Sequence, residues 1–227
     1  MYLPEAFRLT DRDRIAEVMR TYDFALLVTA PPTVSGGRAQ ASHLPFLYEP
    51  PQGLAGEGAE GTLYGHMARA NPQWQDFAGL ATAGQEALVV FQGPHSYISP
   101  TWYETEQPTV PTWNYVAVHA YGLPEVIEAP AAVRGLLDRL VARQEAASTP
   151  PWSAAGLSDK FMEAMLRSLV AFRIPVARLE AKAKLSQNKA AGQLAAATAV
   201  LEAAKEPLAR ETGMWMRQAL DDKSGRE

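Results

Sequence analysis

The chain has 227 residues, of which 47% are hydrophobic and 20% charged, and this composition is typical of a globular protein with a sizeable core. A formal net charge of −4 gives no support to strong non-specific binding of nucleic acid. The absence of cysteine excludes disulfides, thiolate metal sites and a cysteine nucleophile.

The N-terminal residues carry charges where a signal peptide would have its apolar run. No apolar stretch reaches the roughly 18 residues that a membrane-spanning helix requires. We therefore expect a cytoplasmic protein without a membrane segment.

The first part of the chain predicts one helix followed by early strands. Thr10 and Asp13 resemble a helix-capping signal, and the apolar run after Tyr22 is short enough for a buried strand. The elements expected there are a helix at about 11–21, a strand at 24–30, a turn at 31–37, a strand at 38–48 and a Gly/Pro-rich loop at 50–61.

The remainder predicts further strands interrupted by amphipathic helices. Asn71 before Pro72 is a good helix start, and Ser158 is a second candidate cap. The elements expected are a strand at 62–68, a short helix at 71–79, a strand at 86–93, a long strand within 112–128, a helix from Pro130, an apolar helical stripe after Ser158, a strand at 170–185, and Ala-rich helices from 188 that break at Pro207.

About six strands with early hairpins and peripheral helices predict a mainly β (α+β) fold, an antiparallel barrel or roll with helical additions. We expect one domain at 1–187 with inserted helices at about 130–167. Residues 188–227 form an Ala-rich helical C-terminal arm in this interpretation.

The sequence contains no recognisable metal site or nucleophile. Its four histidines, at positions 43, 66, 95 and 119, lie in separate strands or loops and not at ligand spacing, so we expect no metal. There is no G-x-S-x-G elbow and no P-loop, and the glycines of GLAGEG (53–58) have the wrong register for dinucleotide binding.

Two polar spots and a set of aromatic residues predict a ligand site. Arg69 lies beside Asn71 at a helix start, where free N–H groups favour an anion, and Lys184 begins the polar run KLSQN. The rings that could flank a flat ligand are Trp74, Trp102, Tyr103, Trp113 and Tyr115. Salt bridges, core packing and a plain helix cap remain the structural alternatives.

Six segments together resemble the signature blocks of the PaiB family, which is described as FMN-binding negative transcriptional regulators. These segments, in the order of the family, are MYLPEAF, ASHLPF, GHMARANPQW, FQGPHSYISPTWY, VPTWNYVAVHAYG and LEAKAKLSQN. They span residues 1 to about 190.

The resemblance implies a split β-barrel of the flavin-reductase and pyridoxamine-phosphate-oxidase type, and a homodimer with FMN in the cleft between the barrels. Ser42, His43 and Leu44 would border the flavin ring, and Arg69 and Asn71 would lie near the phosphate. The other cofactor-binding residues that it implies are His66, Ser99, Trp102, Thr112, Trp113, Asn114, Lys184, Gln187 and Asn188. The stretch 91–103 is expected to leave a strand and turn its rings toward the cleft.

Three functions remain open at this point. The first is the FMN-binding regulator that the resemblance implies, with DNA as a partner by family analogy only. The second is a flavin-dependent oxidoreductase that uses NAD(P)H on a small acceptor, and the third is a flavin-free dimeric interaction module. Any DNA-contacting element is expected in the helices at 130–167 or in the C-terminal arm.

Overall fold

A computed structural model describes residues 1–31, 37–51 and 59–224 of the chain. Most of the predicted turn at 31–37 and of the loop at 50–61, with the GLAGEG segment, lies outside the described residues. The chain divides into two compact units: unit 1 comprises Met1–Tyr22, Phe91–His119 and Glu180–Glu227, and unit 2 comprises Asp23–Val90 and Ala120–Leu179.

The described residues form an eight-stranded sheet and six α-helices. The strands are β1 (Phe24–Thr29), β2 (Gln40–Pro45), β3 (Leu47–Glu49), β4 (Thr62–Ala68), β5 (Ala87–Ile98), β6 (Thr112–Gly122), β7 (Glu125–Ile127) and β8 (Leu169–Lys184). The helices are α1 (Arg12–Thr21), α2 (Asp76–Ala83), α3 (Pro130–Gln144), α4 (Asp159–Arg167), α5 (Ala191–Glu202) and α6 (Pro207–Ser224). Short 3-10 helices lie at Glu5–Phe7, Pro72–Gln75, Pro100–Tyr103 and Ala154–Gly156.

The strand order is β2-β1-β5-β6-β8-β4-β3, and β7 pairs with β8. The β1–β2, β1–β5, β3–β4, β4–β8 and β7–β8 ladders are antiparallel. A mainly β fold with peripheral helices, as predicted, is therefore confirmed.

The single strand predicted at 38–48 is wrong, because this segment forms two strands with different partners. β2 pairs with β1 from Phe24 opposite Pro45 to Thr29 opposite Gln40, whereas β3 pairs with β4. Pro45 has no N–H to donate, and the next residue, the buried Phe46, donates its N–H to the carbonyl of Asp23 at 2.8 Å.

Strand β5 is longer than predicted. It continues from Ala87 through Pro94 to Ile98, so the prediction that it ends at 93 is wrong. Gly93 permits a close approach of backbone at this point, since a Cβ there would lie only 3.0 Å from the carbonyl oxygen of Val116. Residues 91–98 of the FQGPHSYISPTWY stretch (91–103) are consequently strand and not loop.

The helix caps follow the predicted residues in two of three cases. Ser158 caps α4 by accepting the Phe161 N–H at 3.3 Å, and Asn71 caps Pro72–Gln75. The Thr10 cap is wrong, because Asp11 is the N-cap of α1 and its carboxylate accepts two backbone N–H groups at 2.9 and 3.1 Å. A carboxylate at this position also suits the helix dipole.

A buried polar group anchors α2 to the hairpin of β1 and β2 within unit 2. The carboxylate of Asp76, which is fully buried, accepts from Thr29 Oγ1 at 2.7 Å and from Gln40 Nε2 at 2.9 Å. Gln73 Nε2 donates to a β1 carbonyl at 3.1 Å. These bonds fix the Asn71 turn against the two strands.

Each unit contains buried apolar side chains. In unit 2, the α3 side chains Val133, Leu136 and Leu140 pack on Ala171 of β8, and the helix predicted from Pro130 is confirmed. In unit 1, α5 and α6 contribute several core residues, so this part of the chain packs with the unit: Leu194, Ala197, Leu201, Trp215, Met216 and Leu220 are buried.

Candidate functional site

The first group of candidate residues lies in unit 2, and we name it the amide–hydroxyl cluster; its members are Ser42, His43, Leu44, His66, Arg69 and Asn71. Asn71 Nδ2 donates to Ser42 Oγ at 2.8 Å, while Asn71 Oδ1 accepts the Gln73 N–H at 3.0 Å. The structure therefore brings Ser42 and Asn71 together, although 28 residues separate them in the chain.

The three β2 residues of the cluster differ in exposure. Ser42 is half-buried and His43 is exposed, whereas the Leu44 side chain belongs to the core. The imidazole of His43 stacks on the exposed ring of Phe24, with 6.1 Å between ring centroids and 23° between the planes. Because consecutive strand residues point to opposite faces, β2 carries the Ser42 hydroxyl on one face and the stacked His43–Phe24 pair on the other.

Arg69 is tied to the junction between α4 and β8. Its guanidinium donates through Nε to the Arg167 carbonyl and through Nη2 to the Leu169 carbonyl, both at 2.9 Å. Among the described residues Nη1 has no partner, so an oriented donor is left for an anion.

A pocket of about 570 Å³ lies beside Arg69 within unit 2. The Trp74 indole closes one part of it and donates its Nε1–H to the Arg69 carbonyl at 3.1 Å. The other lining residues are Val126, Ile127, Glu128, Pro130, Val133, Glu163, Leu166, Arg167, Leu169, Val170 and Ala171. Its size is within the range of small-molecule sites.

His66 lies on β4, opposite Ala171 of β8. Burial lowers the pKa of His66, and its Nδ1 is buried without a hydrogen-bond partner among the described residues. A neutral imidazole is therefore favoured at pH 7.

The second group lies in unit 1 and includes four rings that we name the aromatic cluster: His95, Tyr97, Trp102 and Trp113. Tyr97 lies edge-on to both Trp102 and Trp113, with centroid distances of 6.3 and 6.1 Å, and His95 lies 6.4 Å from Trp113. Trp113 is 55% exposed, which is unusual for so large an apolar ring. The cluster thus presents aromatic surface to solvent.

Lys184 and two hydroxyl residues adjoin the aromatic cluster. Lys184 Nζ donates to Thr112 Oγ1 and, at 3.0 Å, to the carbonyl of Trp113. Ser99 caps the helix Pro100–Tyr103, and its Oγ lies 2.8 Å from Thr101 Oγ1. The ammonium group consequently fixes the backbone that carries the most exposed ring.

Asn114 is fully buried, so its side chain is not open to a ligand. Its Nδ2 donates to Ser186 Oγ at 3.0 Å and to Met216 Sδ at 3.2 Å. Ser186 also bonds to the hydroxyl of Tyr103 at 2.9 Å. The sequence suggested Tyr103 as a ring that could flank a ligand and placed Ser186 in the polar run KLSQN, but both side chains are buried and bond to each other.

The last two candidates differ in how they use their amides. Gln187 bonds back to its own turn, accepting the Leu185 N–H at 2.7 Å and donating to the Ala183 carbonyl at 2.6 Å. Asn188 is exposed, and its amide has no hydrogen-bond partner in the described part of the chain. Of the two, Asn188 is the one that a ligand could reach.

Within residues 1–31, 37–51 and 59–224, no group of three or more His, Asp or Glu side chains is arranged to hold a metal ion. In the same ranges, no helix has the length and apolar character needed to cross a membrane.

The chain is similar to known proteins in sequence and in fold. Residues 1–178 match the family described as "Putative FMN-binding domain". The chain is 36% identical over 190 residues to the protease synthase and sporulation protein PAI 2 of Bacillus subtilis, and the alignment covers 83% of each chain.

Two solved structures share the fold at low identity. The flavocytochrome Anf3 from Azotobacter vinelandii superposes with a TM-score of 0.52 at 11% identity, over 78% of this chain and 69% of that one. The conserved hypothetical protein Rv2991 from Mycobacterium tuberculosis superposes with a TM-score of 0.52 at 13% identity, over 84% of this chain and 94% of that one. The predicted split-barrel fold is confirmed.

Proposed function

This chain belongs to the PaiB family of FMN-binding proteins, and on that premise we propose that it is an FMN-binding homodimer that acts as a negative regulator of transcription. The observation that carries the FMN-binding part of the proposal is the Ser42–Asn71 hydrogen bond, together with the oriented guanidinium of Arg69, two residues before Asn71 in the chain. These groups match the needs of a phosphorylated ligand with a polar ring edge.

The amide–hydroxyl cluster fits FMN in its chemistry. The cofactor has a phosphate dianion and a ring with carbonyl and N–H edges, and when bound it supplies redox chemistry. Arg69 and Asn71 would hold the phosphate, and Ser42 and the β2 backbone at His43 and Leu44 would bond the ring edge. His66, being neutral, would accept or donate a hydrogen bond without adding charge.

The aromatic cluster supports the homodimer. Trp113 and Tyr97 are 55% and 42% exposed, and large exposed rings mark surfaces that contact a ligand or another chain. In the proposed dimer, the aromatic cluster of one subunit covers the flavin that the amide–hydroxyl cluster of its partner holds. Ser99, Trp102, Thr112, Lys184, Gln187 and Asn188 would complete that cover, directly or through the backbone.

Replacement of Arg69 tests the phosphate contact. Arg69→Ala should raise the dissociation constant for FMN about 10- to 100-fold, since a charge-assisted hydrogen bond to the phosphate is lost. Riboflavin, which lacks the phosphate, should bind both proteins equally. Fluorescence titration of each flavin measures the two affinities.

Arg173→Ala is the matched control, because it removes an exposed arginine of the same unit that pairs with Glu125 at 2.7 Å. This variant should bind FMN as the unchanged protein does. Equal FMN affinity in the Arg69→Ala protein would refute the phosphate role.

The regulatory part of the proposal is supported by the family resemblance alone, and gel-shift titration tests it. The probe is DNA from the promoter region next to the gene, at a series of salt concentrations. A regulator that contacts DNA directly should give a complex that weakens steeply with salt, because phosphate contacts release counterions. If no complex forms at low salt, direct regulation is ruled out.

A further inference from the structure

A buried hydrogen-bond network in unit 1 joins three segments that are far apart in the chain. Ser186 Oγ lies 2.9 Å from the Tyr103 hydroxyl and 3.0 Å from Asn114 Nδ2. Ser186, Tyr103 and Asn114 are 4%, 1% and 0% exposed, respectively. None of them therefore has surface with which to touch a cofactor.

The backbone of Ser186 has a φ of +63°, in the left-handed region that non-glycine residues rarely adopt. Such a conformation persists only when the surroundings impose it. Here Gln187 closes the turn by bonding to Leu185 and Ala183, and the hydroxyl of Ser186 points to Tyr103 and Asn114.

Helix α6 completes the network. Met216 is fully buried, and its Sδ accepts from Asn114 Nδ2 at 3.2 Å. The Asn114 amide therefore bonds to both the KLSQN turn and α6. The segment that matches the family model ends at residue 178, so Tyr103 and Asn114 lie inside it, and Ser186 and α6 lie beyond it.

Two inner residues of the network each adjoin a less buried tryptophan in the chain. Tyr103 follows Trp102, and Asn114 follows Trp113. Lys184, two residues before Ser186, donates to the carbonyl of Trp113 at 3.0 Å. The backbone that carries the two tryptophans is thus held from inside the unit.

We propose that Ser186 is a positioning residue, which acts through Tyr103 and Asn114 to hold Trp102 and Trp113 in the orientation that covers the flavin. The inference rests on the proposed function, because the flavin is what the rings cover. Its structural half, control of the two rings by Ser186, does not depend on whether a flavin binds.

Ser186→Ala and Tyr103→Phe each remove one hydroxyl and leave the volume of the side chain nearly unchanged. Each variant should raise the dissociation constant for FMN about tenfold, as expected when a buried hydrogen bond is lost. The double variant should show less than the product of the two effects, because the hydroxyls bond to each other.

Thr198→Ala is the matched control. Thr198 is also fully buried in unit 1, and its hydroxyl donates to the Leu194 carbonyl at 2.7 Å within α5, outside the network. This variant loses a buried hydroxyl together with a buried methyl group, and with them some stability, but it should bind FMN with unchanged affinity. An equal loss of affinity in Thr198→Ala would overturn the proposal in favour of general destabilisation.

A measurement without flavin tests the positioning role of Ser186 separately from FMN binding. The protein labelled with 5-fluorotryptophan should give a ¹⁹F resonance for each of its five tryptophans, assigned by single Trp→Phe variants. Ser186→Ala should shift the resonances of Trp102 and Trp113 and leave those of Trp74 and Trp152, which belong to unit 2, in place. Tyr103→Phe should do the same, and it carries the test if Ser186→Ala does not fold.

Unchanged Trp102 and Trp113 resonances in both variants would overturn the positioning role. If the unchanged protein binds no FMN, the proposed function fails, and the ¹⁹F shifts still decide whether Ser186 controls the rings.

Discussion

Asn71, in the amide–hydroxyl cluster, has a structural role in addition to its proposed contact with the ligand. Asn71 caps the helix Pro72–Gln75 with its carbonyl oxygen and bonds to Ser42 with its amide nitrogen. Any replacement of Asn71 therefore affects the turn as well as the ligand, so Ser42 and Arg69 are the cleaner positions for tests of binding.

The lowered pKa of His66 predicts a pH dependence of stability. The pKa in the fold lies below the unfolded value of 6.5, so the unfolded chain takes up the proton first as the pH falls. The contribution of the neutral imidazole is complete above pH 6.5 and is lost as the pH drops from there through the folded pKa. Between pH 7 and about pH 5, His66→Gln should lose less unfolding free energy than the unchanged protein.

Urea denaturation at a series of pH values measures this difference. Some pH dependence should remain in the variant, since burial lowers the pKa of His119 as well. Identical pH profiles of the two proteins would contradict the assignment to His66.

Candidate residues for a site could be named from the sequence, but the hydrogen-bond partner of each polar atom could not. Ser42, Asn71 and Arg69 lie in short motifs whose residue types alone indicate hydrogen bonding or anion binding. Asn114 looks equally suited to a ligand, yet its amide is committed to Ser186, which lies 72 residues further along the chain. Only the fold decides which hydrogen-bonding groups are left for a cofactor.

At the level of elements, the close packing of α5 and α6 depends on Gly213. A Cβ at this position would lie 2.9 Å from the Glu202 amide nitrogen and 3.1 Å from Leu201. The glycine is needed for close approach of the two helices, because backbone atoms of α5 cannot move aside as a flexible side chain could.

Two glycine substitutions give a matched prediction. Gly213→Ala should lower the free energy of unfolding by about 1–3 kcal/mol, as overpacking does. Gly135→Ala, in α3 with nothing near its Cβ, should raise it by about 0.5–1 kcal/mol, since alanine favours the helix. Thermal unfolding of both variants checks the signs, and a stabilised Gly213→Ala protein would contradict the packing.

Elements with a regular pattern were predicted well, and irregular ones were not. Strand β4 was predicted at 62–68 and lies at Thr62–Ala68. The break between β2 and β3 and the extension of β5 past Pro94 were missed, because both depend on which strand lies alongside. Pairing partners are long-range information that local periodicity does not contain.

For the whole molecule, the fold class could be predicted because six sequence blocks occur in the order of one family. The oligomeric state could not be predicted in the same way, because exposed rings such as Trp113 and Tyr97 do not by themselves identify the molecule that covers them. The dimer and the flavin are joined in the proposal, so one experiment should examine both.

Sedimentation velocity of the protein mixed with FMN, followed in the visible flavin band, is that experiment. We predict that the flavin sediments with a species of twice the 24.7 kDa chain mass, at one FMN per chain. Flavin that remains unsedimented, or that travels with a species of a single chain, would contradict the FMN-binding homodimer.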